Sequence, residues 1–261
     1  PSFGYGCLLE CSYCYMKRHK PQGLDVAENI YEILTEINNH VQFASVQKPN
    51  QTHRKYITYD ISCNEDFALH SNHYEWETIF DFFKYNDKAM ATLATKIIPH
   101  KFLDYNPNKK VRIRFSLMPQ KLSTILEPHT SSVLERIQSV DKFIEAGYDV
   151  HLNFSPVIMY KGWQDDYTEL FKLVDNYIVN KEIVKAEVIF LTHNLNKHNY
   201  NLLKQKDGES LLWNESIQED KVSEYGGKNV RYKVKYKQKW IEQFKQLHNK
   251  TIPWNTIRYI F

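Results

Sequence analysis

Apolar residues recur along this chain with two periods, and each change of period marks a new element. Val26, Ile30, Ile33, Leu34, Ile37 and Val41 fall at three- and four-residue steps, which predicts a helix over Val26–Phe43. Gln47–Arg54 is polar, contains Pro49 and reads as a loop. Tyr56–Ser62 is a β-branched and aromatic strand, and Tyr74–Phe83 is helical. Met90–Thr95 reads as a strand, with a short helix near Lys101–Tyr105 and a turn at Pro107–Asn108. Val111–Leu117 alternates as a strand does. Pro128–His129 leads into a helix to about Ala146, with Thr130 or Ser131 as its cap and Gly147 at its end. Asp149–Phe154 is a strand, Asp165–Val179 a helix and Val184–Leu191 a strand.

Such alternation implies a parallel sheet with helical crossovers, here a partial (β/α)6 barrel of the TIM type. Chemistry in such barrels sits at the C-terminal ends of strands. Cys63, Lys96, Ser116 and Ser155 all fall at or near such ends. After about residue 195 the pattern changes. Asn196–Gly227 is polar and loop-rich, Arg231–His248 is basic with aromatics, and Thr256–Phe261 could close as a last strand. The division expected is a barrel over 1–195 and a C-terminal extension over 196–261 packed on it.

Composition narrows the class. With 42% apolar and 14% aromatic residues, disorder is excluded as the ground state. A formal charge of +3 gives no general argument for a nucleic-acid partner, so any such argument rests on where the cations lie. No apolar run is long enough to span a bilayer, and no signal peptide is recognisable. The chain has 4 cysteines, three of them in one short segment, which is unlike a disulfide-stapled secreted domain. A cytoplasmic location is expected.

That segment, Cys7-Leu-Leu-Glu-Cys11-Ser-Tyr-Cys14-Tyr15, has the spacing C-x3-C-x2-C. Three thiolates can bind three irons of a [4Fe–4S] cubane and leave the fourth open to a small ligand such as S-adenosylmethionine. The competing reading is zinc, which takes four ligands in a structural site; Cys63 or His19 could supply the fourth. The spacing is not that of a usual zinc knuckle, and the cluster is the preferred reading.

On these residues the chain resembles the radical S-adenosylmethionine superfamily, and more closely the spore photoproduct lyase family. The resemblance runs through Gly6–Tyr15, Asp60-Ile-Ser-Cys63, Ala94-Thr95-Lys96, Arg112-Ile-Arg114-Phe115-Ser116 and Glu127-Pro128-His-Thr130-Ser131. It continues in Ala146-Gly147-Tyr148, Pro156-Val-Ile and Gly162-Trp163, and so covers nearly the whole chain. It implies repair of a methylene-bridged thymine dimer in DNA, with S-adenosylmethionine and a [4Fe–4S] cluster as cofactors. A deoxyadenosyl radical takes a hydrogen from the lesion, and a reducing partner such as flavodoxin or ferredoxin supplies the electron. It implies that Cys63 donates a hydrogen atom to the product radical, and that Tyr13 and Tyr15 relay it. Lys96 and Ser116 match cofactor-binding positions, and Ser155 is placed beside the adenosine. The chain departs from the family after Cys63, where Asn64 and Glu65 replace small hydroxyl residues. Asn64 or Glu65 could take over that contact, and the departure keeps open a radical enzyme acting on another nucleotide, a peptide or a small molecule.

Arg231–Trp240 alternates cations with aromatics, preceded by Lys228. Cations neutralise phosphates and aromatics stack on unpaired bases, so Lys228, Arg231, Tyr232 and Lys233 are candidate nucleic-acid contacts. A solvated basic face is the plainer alternative. A zinc-stabilised nucleic-acid-binding domain is the non-enzymatic reading of the whole.

Overall fold

The computed structural model describes residues 1–14, 16, 23–44, 53–222 and 228–261. Six parallel strands form its main sheet, in the order β3 (Ile57–Asp60), β4 (Ala89–Thr95), β5 (Val111–Leu117), β6 (Asp149–Val157), β7 (Lys185–Phe190) and β11 (Thr256–Ile260). Each neighbour follows the last in chain order, as right-handed crossovers require, and the sheet curls into an open half-barrel. Val111, Ile113, Phe115 and Leu117 of β5 enter the core beneath the helices. Arg112, Arg114 and Ser116 alternate with them and face the other way, yet all are buried.

That second face carries charge in pairs. Arg114 Nη2 donates to Asp60 (2.6 Å) and Nη1 lies 3.5 Å from Glu187. Glu187 also accepts from Arg258 (2.6 Å) and from the Tyr259 hydroxyl (2.5 Å), and Arg112 Nε donates to Asp149 (2.7 Å). Burial alone would lower the Arg114 pKa and raise that of Glu187; the partners outweigh it, holding the guanidinium up and the carboxyl down at about 2. Buried charges are tolerated here because each has an opposite one.

The crossover helices are α1 (Ile30–Phe43), α2 (Phe67–His70), α3 (Trp76–Tyr85), α4 (Gln120–Leu126), α5 (Val133–Glu145) and α6 (Trp163–Tyr177), with a 3-10 turn at His100–Asp104. The expected helix from Pro128 is corrected in two ways. It begins at Val133, because Ser132 forms a capping box with Glu135: its hydroxyl accepts from the Glu135 N–H, and that carboxylate accepts from the Ser132 N–H. Neither Thr130 nor Ser131 caps it; the Ser131 N–H instead donates to the Lys96 carbonyl (3.0 Å). A separate helix, α4, precedes it and was not foreseen. Gly147 does end α5, at φ +99, where a Cβ would strike the Asn106 side chain.

A two-stranded ribbon, β1 (Gly4–Tyr5) with β2 (Asp25–Val26), precedes the barrel. Beyond β7 come β8 (Thr192–Asn194), α7 (Leu195–Leu203), α8 (Glu209–Leu212), β9 (Gln218–Val222) and β10 (Lys228–Tyr232). β8, β10 and β9 make a small antiparallel sheet, so the stretch expected to be loop-rich holds regular structure. α9 (Val234–Thr251) packs on α6, and β11 then joins β7, so the last elements complete the barrel sheet. Among the described residues no helix is long and apolar enough to cross a membrane.

Candidate active site at the mouth of the half-barrel

The loop between β1 and residue 14 makes few hydrogen bonds of its own. The Cys14 N–H donates to the Cys11 carbonyl (3.0 Å), while Gly6 (φ +101) and Glu10 (φ 56) supply the left-handed turns. Its shape is imposed from three sides. The Gly6 N–H donates to the Asn64 carbonyl (3.0 Å), just after β3. The Ser12 N–H donates to the Leu126 carbonyl (2.8 Å) at the end of α4. The Asn201 side-chain amide, from α7, donates to the Ser12 carbonyl (2.7 Å).

Cys7 and Cys14 are half-buried, Cys11 is buried, and all three are free thiols. Burial pushes the Cys7 thiol up to about 12, reinforced by Asp66, and pushes Cys11 well above the usual thiol range, reinforced by Glu127. Lys96 opposes both shifts, while Cys14 adds to both and Cys7 adds to that of Cys11. They nonetheless stand too far apart to lie within 4.8 Å of one another as a set. A tetrahedral zinc with sulfur at 2.3 Å needs its sulfurs about 3.8 Å apart. A wider set of thiols fits a multi-iron group better than a single ion.

Lys96 follows β4. Its N–H donates to Asp66 Oδ2 (3.1 Å), its carbonyl accepts from Ser131, and its ammonium lies over the Tyr13 ring at 5.6 Å. Asp66 is buried, takes the Thr95 hydroxyl at 2.9 Å and caps α2, so one carboxylate fixes both the end of β4 and the segment after Cys63. The Tyr13 hydroxyl donates to Glu127, which pairs with Arg136 (3.0 Å). Arg136 also donates to the Ser116 carbonyl (2.5 Å) and the Ser123 hydroxyl (3.0 Å). Glu127 and Arg136 had no assigned role in the sequence reading; a buried Arg nine residues after a Glu carries no local signal.

Cys63 is exposed, in the turn after β3, with Sγ 3.3 Å from the Asp60 carbonyl. The Gly6–Asn64 bond sets that turn against the start of the cysteine loop. Cys7, Cys11, Cys14, Tyr13, Asn64, Lys96 and Cys63 thus share one end of the barrel. Ser155 ends up half-buried where β6 shifts register against β7. Ser116 is buried, its Oγ accepting from Asn153 at 3.3 Å. Tyr15 lies outside the described residues.

Several expected contacts are corrected. Glu65 does not face the site: its side chain is fully buried, 2.6 Å from His70 Nδ1, and accepts from the Tyr74 hydroxyl (3.3 Å). Its carboxylate lies under Gly4, where a Cβ would come within 2.5 Å of both Glu65 and His70. Tyr232 is a core residue whose hydroxyl oxygen accepts from the Met159 N–H (2.9 Å), edge-on to Phe190 and Trp240, so it cannot stack on a base. Arg231 is paired with Glu219 (3.0 Å), and Lys233 donates to the Glu215 and Ser216 carbonyls (3.1 and 2.9 Å). Lys228 remains exposed on β10.

One further cluster joins the extension to the loop. His193 and His198 reach the same oxygen of Glu209, at 2.9 and 2.5 Å, and Asn201 donates to the other oxygen. Burial would raise the Glu209 pKa, but the bonds from His193, Asn201 and His198 hold it below the usual range. Both imidazole contacts to that one oxygen are at hydrogen-bond distance.

A curled parallel sheet with three unpaired thiols and a lysine at its C-terminal mouth is the architecture of the radical S-adenosylmethionine class. The spore photoproduct lyase family model matches residues 2–261, and the chain belongs to that family. The spore photoproduct lyase of Bacillus subtilis (strain 168) is 27% identical over 180 residues, covering 66% of this chain and 49% of that one. That of Clostridium acetobutylicum is 25% identical over 265 residues, covering 98% of this chain and 74% of that one. This chain therefore spans about half to three quarters of the length of these relatives. A solved spore photoproduct lyase variant with bound AdoMet and dinucleoside spore photoproduct superposes with a TM-score of 0.86 at 19% identity, covering 100% of this chain and 76% of that one. Another, with dinucleoside spore photoproduct, gives the same TM-score over 99% of this chain and 75% of that one. At that identity the superposition speaks for the fold.

Proposed function

We propose that this chain is a radical S-adenosylmethionine lyase that opens the methylene bridge of a thymine dimer in DNA. The observation that carries the proposal is the placing of one exposed thiol, Cys63, against the three-cysteine loop through the Gly6–Asn64 bond, in a chain of the spore photoproduct lyase family. Cys7, Cys11 and Cys14 hold the cluster. When bound, cluster and S-adenosylmethionine supply one-electron cleavage to a deoxyadenosyl radical, the electron coming from a flavodoxin- or ferredoxin-like reductant.

The chain's own residues do the rest. The Lys96 ammonium is within electrostatic reach of Cys7 and Cys11 and binds the methionyl carboxylate, since a charge-assisted bond is the strongest available there. Asn64, Ser116 and Ser155 are the remaining polar groups proposed for the cofactor. The Cys63 S–H gives its hydrogen atom to the carbon radical on the opened thymine, leaving a thiyl radical. Tyr13 is the O–H source proposed to restore the thiol. Its phenolic hydrogen already points at Glu127, and burial, reinforced by Glu127, keeps the phenol protonated. Lys228, exposed on β10, is the residue proposed for phosphate contact.

The test is anaerobic turnover of an oligonucleotide carrying the dimer, with dithionite and S-adenosylmethionine. Restored thymines are expected from the wild type. Cys63→Ala should keep releasing deoxyadenosine while its product diverts to adducts. Clean repair by Cys63→Ala would refute the donor assignment. Deoxyadenosine release without any repair would point to another substrate.

A further inference from the structure

We infer that Lys197, on the first turn of α7, is the counter-charge of the three-cysteine site: its ammonium stabilises the negative charge gained when the bound cluster accepts an electron. The inference rests on the cluster reading above and adds a residue from outside the barrel to it.

Lys197 is 1% exposed, which is rare for a lysine. Among the described residues no carboxylate lies within ion-pair distance of it, and its ammonium stands over the Tyr200 ring at 4.9 Å. An ammonium in that position is costly unless opposite charge is near. Burial pulls Lys197 below the ordinary lysine range and Lys206 adds to this, while Cys14, Cys11 and Glu10 act in the other direction. The backbone geometry agrees. Asn201 lies four residues along α7, hence on the same face, and donates to the Ser12 carbonyl between Cys11 and Cys14. Glu209 holds Asn201 in turn, with His193 and His198 fixing Glu209. Lys197 is thus presented to the loop by a helix that is clamped to it.

A clamp for Glu10 is the plainer role, but Glu10 already has Lys206 at 3.7 Å and His129 at 3.8 Å. Net charge and burial around a cluster set its potential, so a fixed buried cation makes reduction easier. Lys197 would act through this charge, without touching substrate.

The test uses the full chain reconstituted anaerobically with iron and sulfide, as wild type, Lys197→Met, Lys197→Gln and Lys197→Arg. Iron and sulfide content is measured first. A wild type that takes up no cluster would sink the cluster reading itself. Midpoint potentials then come from titration with dithionite and mediators, followed by electron paramagnetic resonance. The neutral variants should have at least a tenfold lower reduced-to-oxidised ratio at a fixed poise, which is 59 mV for a one-electron couple. Lys197→Arg should stay closer to wild type. Equal midpoints for Lys197→Gln and wild type at matched iron content would overturn the inference. Failure of the neutral variants alone to assemble a cluster, with native circular dichroism, would support it. Failure of all three would overturn it, because shape and not charge would then be what position 197 supplies.

Discussion

Arg136→Met should be among the most damaging single changes outside the cysteines. The Arg136 and Glu127 side chains are 0% and 1% exposed and meet at 3.0 Å. Arg136 also binds the Ser116 carbonyl at the end of β5 and the Ser123 hydroxyl on α4. Methionine keeps the stem but removes every donor. Glu127 is then left buried with only the Tyr13 and Ser123 hydroxyls as partners. Breaking one side of a buried pair costs about 3–5 kcal/mol, because the remaining charge has neither water nor partner. At roughly 2–4 °C per kcal/mol for a chain near this size, Tm should fall by about 6–20 °C. Thermal and urea unfolding of the metal-free chain, followed by circular dichroism, reads this directly. The reasoning also fixes the double variant. Arg136→Met with Glu127→Gln removes the stranded charge, so it should be less destabilised than the two single losses added together. A single-variant loss under about 1 kcal/mol, or strict additivity, would show that the pair is not the buried charge lock described here.

Three further outcomes follow from the same structure. Glu187 titrates near 2 when folded against 4.5 as its ordinary value. Its contribution, of order 3 kcal/mol at 1.36 per unit, is full above that ordinary value and fades as pH falls toward the folded one. Glu187→Gln should therefore be less stable than wild type at neutral pH, with the gap in urea midpoint closing in acid; a constant gap contradicts the assignment. Gly4→Ala places a Cβ 2.5 Å from both Glu65 and His70 and 3.0 Å from the Asp25 carbonyl, and should cost about 1–3 kcal/mol in the unfolding assay. Cys11→Ser should reconstitute with markedly less iron and sulfide than wild type while keeping the native circular dichroism spectrum; full iron content would remove Cys11 from the ligand set.

The parts of the barrel legible in the chain are those where burial repeats with the period of the element. β5 alternates Val111, Ile113, Phe115 and Leu117 with Arg112, Arg114 and Ser116, and its observed bounds equal the expected ones. α4 escaped because the apolar run Leu117–Met118 carries the strand pattern up to Pro119, and the helix that follows buries only Leu122, Ser123 and Leu126. The cap at Ser132 was missed by one residue because three adjacent hydroxyl residues, Thr130, Ser131 and Ser132, offer the same chemistry. Only the Glu135 carboxylate, three residues on from Ser132, breaks the tie.

The site divides along the same line. Its candidate metal ligands are legible because their spacing is local, Cys7, Cys11 and Cys14 lying within one loop. The groups that shape the loop are not, because each comes from far along the chain: Asn64 from the turn after β3, Leu126 from α4 and Asn201 from α7. Counting cations and aromatics fails for a related reason. Tyr232 and Lys197 belong to equally polar stretches, and only tertiary packing buries both. A loop with so few bonds of its own holds its three sulfurs in place only as well as those remote partners hold it. Asn201→Leu removes the amide that donates to the Ser12 carbonyl and should therefore lower iron and sulfide retention, although Asn201 contributes no sulfur.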